Sequence, residues 1–133
     1  MHLRLFQCLL LAAVAAGAGC GDSGGVPRVV REGVKNVPCA PDTVITYLQK
    51  PVTKGCMVYF HGDEKPVVVP GDGYLVWFDE NNGVRWPHMA KLAWIPSDPE
   101  KAQRVLKRGR LCPAFRVVMP NDRPMGRMVW NEI

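Results

Sequence analysis

"GDGYLVWFDENNGVRWPHMAKLAWIPSD", residues 71–98, decides the fold. Two runs rich in aliphatic and aromatic residues flank Asn81-Asn82-Gly83. Asn82-Gly83 suits a two-residue type I′ turn, whose central positions both need positive φ. A turn there predicts an antiparallel hairpin in which Glu80 faces Arg85 and Asp79 faces Trp86, the opposite charges supporting the register. Side chains alternate along a strand, so Tyr74, Val76 and Phe78 share one face while Leu75 and Trp77 share the other. Both sets are apolar, and the strand is therefore expected to be covered on both sides.

Working outward, the same texture recurs. "TVITYLQ" (43–49), "CMVYFH" (56–61), "PVVV" (66–69), "FRVVM" (115–119) and "RMVW" (127–130) are short, β-branched or aromatic, and bounded by turn residues such as "GDEKP" and "PGDG". One segment reads differently. In "SDPEKAQRVLKRG" (97–109), Ser97 or Asp98 can cap a helix that Pro99 starts and Gly109 stops. Glu100 lies near its positive end and Lys107 and Arg108 near its negative end, while Ala102, Val105 and Leu106 form an apolar stripe. The expected fold is thus mainly β, a small antiparallel barrel or sandwich, with one α-helix in the C-terminal half at about 98–108. Residues 42–133 are expected to form that single domain. Residues 21–41 read as a linker, within which "VPRVVREGV" suggests at most a short strand.

The N-terminus carries an address. Arg4 precedes an apolar block, residues 5–16, interrupted by Gln7 and too short to span a bilayer, as in an export signal. Ala16-Gly17-Ala18 would suit ordinary signal cleavage and plain secretion. Ala16-Gly17-Ala18-Gly19-Cys20 resembles the bacterial lipobox, with Gly17 where Leu is usual. That resemblance implies removal of residues 1–19, acylation of Cys20, and a flexible tether from Gly21. Gly21, in place of Asp, implies sorting to the outer membrane. No other stretch is long and apolar enough for a transmembrane helix. The formal net charge is +5, and Arg4 would leave with the leader. A mild excess of this kind favours anionic surfaces without calling for nucleic acid.

An exported chain meets oxidising conditions, so one disulfide among Cys39, Cys56 and Cys112 is expected. Cys39 with Cys56 would close a short loop. Cys56 with Cys112 would close a longer one, restrict the unfolded chain more, and is the preferred expectation. His61 and His88, with Cys56, Cys112 and Lys91 as further candidates, lack the close spacing of metal ligands, so neither metal nor cofactor is expected. The two imidazoles are also the residues that a ribonuclease-like secreted hydrolase would use as base and acid. No G-x-S-x-G, H-E-x-x-H or phosphate-binding glycine loop accompanies them. On the expected helix, Lys101, Arg104 and Arg108 lie near one face and form a candidate anion-binding patch.

The stretch 71–98 also resembles the second half of an SH3-type barrel. Gly71-Asp72-Gly73-Tyr74, the Asn82-Gly83 turn and Trp94-Ile95-Pro96-Ser97 stand in the corresponding order. The acidic, aromatic first half of such a domain is missing, and a helix is expected where its last strand should come. The resemblance implies Tyr74, Trp94 and Pro96 as groove residues for cell-wall peptides. Together these features point to a lipid-anchored protein of the bacterial cell envelope, facing the periplasm or surface. It is expected to be a non-enzymatic module that binds a cell-wall glycan or peptide, or a partner protein. The alternative is the secreted hydrolase using His61 and His88.

Overall fold

The computed structural model describes residues 25–81 and 86–133. The leader, the lipobox-like segment and Cys20, like the Asn82-Gly83 turn, lie outside the described residues. One helix, α1 (Arg28–Val34), is followed by eight strands: β1 (Val44–Leu48), β2 (Met57–Phe60), β3 (Val67–Val68), β4 (Gly73–Asp79), β5 (His88–Pro96), β6 (Arg104–Leu111), β7 (Phe115–Val118) and β8 (Trp130–Glu132). They form two antiparallel sheets, a larger one ordered β6-β5-β4-β1-β8 and a smaller one ordered β3-β2-β7. The sheets stack as a sandwich and do not close into a barrel.

The alternation expected within residues 74–78 is what builds the layers. Leu75 and Trp77, with Leu92 and Trp94 from β5, face the smaller sheet and pack with Leu48, Val58, Phe60 and Val117. Val76 and Phe78, with Ala93 and Ile95, face the opposite way and pack with Val30, Val37 and Tyr47 under α1. β4 is therefore the shared wall of two cores. Phe115 joins the sheets, its ring 5.0 Å from that of Phe60 and 5.3 Å from that of Trp77.

Three expectations are corrected. The helix expected at 98–108 is not formed: its second half is β6. The capping signals act only locally, Asp98 Oδ1 accepting the N–H of Glu100 at 2.9 Å and the Asp98 carbonyl accepting that of Lys101 at 3.1 Å. Beyond that turn, β5 offers an open row of N–H and C=O groups. Satisfying a buried strand's backbone outweighs weak helix propensity.

The segment read as a linker holds the one helix among the described residues. Val26, Val29, Val30, Val34 and Val37 recur at helical spacing, Val30 is fully buried and Val37 nearly so. Their β-branching had suggested a strand, but the period is helical. α1 begins after Pro27, a residue suited to a helix start.

The β4–β5 connection is longer than a two-residue turn. Asp79 pairs with Ala90, not with Trp86, and Tyr74 pairs with Ile95. The tight register would set Pro87 opposite Phe78, inside a strand flanked on both sides, where its missing N–H forfeits a ladder bond. The shift of four residues is even, so every side chain keeps its face.

Candidate functional site

A cleft of about 490 Å³ opens between α1 and the end of β5. Val29, Gly33, Ile95 and Pro96 form its apolar floor, and Arg28, Glu32, Asn36, Asp98, Lys101 and Gln103 stand around it. Gly33 makes the approach of helix to strand possible: a Cβ there would lie 2.7 Å from Ile95 Cγ2. The rim charges are unequal in availability. Glu32 is held by Lys35 at 3.1 Å, and that hydrogen bond and charge lower its carboxyl below the usual range. Asp98 is engaged by the backbone of Glu100. The side chains of Arg28 and Lys101 have no ion pair or hydrogen bond among the described residues, so their donors are open to a ligand.

A second, shallower depression of about 440 Å³ is lined by Tyr59, Phe60, His61, Asp63, Phe115 and Arg116. Two of its charged groups are already engaged. The Arg116 guanidinium stacks 4.3 Å from the Tyr59 ring centroid, and Asp63 pairs with Lys107, whose ammonium also lies over Phe60. This pairing latches the two sheets together at one edge.

The two histidines stand in unlike surroundings. His61 is exposed beside the shallow depression. His88 is buried, with Nε2 2.7 Å from Asp79 Oδ1 and Nδ1 2.8 Å from the Trp86 carbonyl. Asp79 also accepts the indole N–H of Trp77 at 3.0 Å and the backbone N–H of Asn81 at 2.9 Å. Both His88 nitrogens face acceptors, which leaves neither to exchange a proton with a substrate. Among the described residues no cluster of His, Cys, Asp or Glu can hold a metal ion, and no helix is long and apolar enough to cross a membrane.

The expected groove does not form. Tyr74 packs edge-on to Tyr47 on the helix side. Trp94 is buried on the other face, its indole N–H donating to the Gly71 carbonyl at 2.9 Å. The SH3-like glycines have this local cause: a Cβ on Gly71 would lie 3.1 Å from the Trp94 ring, and one on Gly73 would lie 2.2 Å from the Ile95 carbonyl oxygen. Only Pro96 of the three lines the cleft.

The basic trio is likewise split. Lys101 stands on the cleft, but Arg104 pairs with Trp94 and Arg108 with Lys91, residues of opposite faces. A bulge causes this. Leu92 pairs with Lys107 and Ala93 with Val105, so Leu106 is an extra residue that inverts the alternation.

The expected Cys56–Cys112 disulfide is not formed. The Cys56 thiol turns into the core, 3.7 Å from Met119 Sδ, and accepts the Thr53 N–H at 3.4 Å. Cys112 is half-buried after β6, and Cys39 is exposed.

Arg28, Val29, Glu32, Gly33, Asn36 and Gln103 are among the cleft residues that sequence reasoning missed. The helical spacing of the valines around them was the signal available. No family model, no curated protein and no solved structure matches the chain. The described residues define a β-sandwich with α1 laid across its larger sheet.

Proposed function

We propose that this chain is an exported lipoprotein of the bacterial envelope, anchored through acylated Cys20 and sorted to the outer membrane. It acts as a non-enzymatic binding module whose cleft takes the free carboxylate end of a short cell-wall peptide. The carrying observation is the rim of the cleft: both acids are engaged, while Arg28 and Lys101 present open donors above Val29, Ile95 and Pro96. A cavity of this size with an apolar floor and few polar groups is suited to a small ligand. Paired cations select a carboxylate. Anchoring confines the domain beside the wall, so weak affinity suffices.

Titration with a synthetic wall-type peptide tests the cleft. The free-carboxylate peptide should bind, and its C-terminal amide should bind about tenfold more weakly, as should the free peptide to Arg28→Ala with Lys101→Ala. Equal binding of acid and amide rejects the site. Anchoring is tested separately by the intact mass of membrane-extracted protein, which should exceed that of the residue 20–133 chain by the acyl groups. An unmodified mass rejects the anchor.

A further inference from the structure

α1 covers only half of the larger sheet's outer face. Its contacts reach Ala93 and Ile95 on β5; no helix lies over the other half of that strand, where the segment after α1 returns only at Pro38, whose carbonyl accepts from the Lys91 ammonium. On this uncovered half, register places Lys91 directly opposite Arg108 and Met89 directly opposite Arg110. Lys91 also faces Phe78 across the other ladder, which identifies the side as the helix side. Met89 stands out of this surface, 51% exposed, and Trp86, just before the start of β5, is 66% exposed. The Arg110 guanidinium turns back to the Pro87 carbonyl at 3.4 Å, joining the cationic row to the apolar pair. One acid shares the area: Glu80, whose backbone N–H bonds the Met89 carbonyl at 3.3 Å.

We infer that Trp86, Met89, Lys91, Arg108 and Arg110 form a docking surface for an anionic lipid bilayer. Arg108 and Arg110, with Lys91 held beside them by the Pro38 carbonyl, outnumber one acid and complement a phosphate-bearing surface, and guanidinium groups match phosphate in geometry as well as charge. An exposed indole with a neighbouring thioether supplies what a protein partner's polar rim would not need: an amphipathic ring at headgroup depth and an apolar chain beside it. The placement agrees with the anchor proposed above, on which the surface does not depend. Seven residues separate Cys20 from Arg28, a reach of roughly 28 Å when extended, and α1 lies on this same face.

The chain carrying Cys20→Ser, which lacks the acylation site, is mixed with vesicles of phosphatidylglycerol and phosphatidylcholine, or of phosphatidylcholine alone, and the bound fraction is measured by sedimentation. Binding to the anionic vesicles should exceed binding to neutral ones by about tenfold and fall as salt is raised. Arg108→Glu with Arg110→Glu should abolish the preference, and Trp86→Ala should weaken anionic binding several-fold. Arg108→Ala with Arg110→Ala, exposed truncations that leave both cores intact, should lose most of the preference with an unchanged near-ultraviolet dichroism spectrum. Equal binding to both vesicle types overturns the inference. So does a preference unmoved by either double variant, or binding to a soluble RNA oligomer with none to vesicles. The mass measurement on membrane-extracted protein reports on the anchor alone, so the two proposals fail separately.

Discussion

The two faces of the larger sheet are closed by different means. On one, a second sheet supplies strands whose backbone ladders fix Phe60, Val58 and Val117 against Leu75, Trp77 and Leu92. On the other, closure falls to the seven residues of α1, which start without a side-chain cap and bury Val30 over Val76, Phe78 and Ile95. The sheet-covered face is filled and offers little to a ligand. The helix-covered face is filled only in part, and both the cleft and the cationic, tryptophan-bearing area lie along the boundary of what α1 covers. Both surfaces proposed for binding lie where a cover is shorter than the sheet beneath it.

The sharpest test of this contrast is Phe78, fully buried on the helix side. Phe78→Ala should cost about 4 kcal/mol in denaturant unfolding. A loss under about 1 kcal/mol would mean that the helix side is a loose coating and not a second core. Next comes the polar join at the end of β4. Asp79→Ala leaves the Trp77 indole N–H and a His88 nitrogen buried without their acceptor, and should cost about 3 kcal/mol; Asp79→Asn, retaining one acceptor oxygen, should cost less.

Val30→Ala should cost about 2 kcal/mol. Amide exchange should quicken first over residues 28–37 while β4 and β5 stay protected, the signature of a layer less firmly held than the sheets. Uniform quickening would erase the distinction between the two covers. The smallest effect belongs to Glu32. Its carboxyl sits below the usual range because Lys35 donates to it, so the pair's contribution is present at neutral pH and is lost as pH falls through that lowered value. Glu32→Gln should therefore shallow the acid side of the stability profile slightly and leave the neutral side nearly unchanged, as read by thermal melts across pH.

What was legible in the sequence was whatever depends on a strand's own pattern. The period of two in residues 74–78 located the wall between two cores, because alternation is a property of one chain segment. The register of β4 on β5 was not legible, since it depends on where Pro87 can be tolerated beside two neighbours. β6 was read as a helix because its capping residues are genuine; what overrode them was the unpaired edge of β5, which no local window contains. α1 was hidden by its valines, whose composition says strand and whose spacing says helix. The cleft followed α1 into obscurity. Pro96 and Lys101 were named for other reasons, a groove and a helical patch, and meet only because the chain that follows β5 turns beside α1.

β1 lies between β4 and β8, and its second ladder joins Thr46 to Glu132 and Leu48 to Trp130. That ladder links segments far apart in sequence, so it has no partner until residues 130–132 have emerged from the ribosome. The larger sheet is thus built from its middle outward: β4, β5 and β6 pair with neighbours in sequence, while the edge strand β8 must wait for the end of the chain.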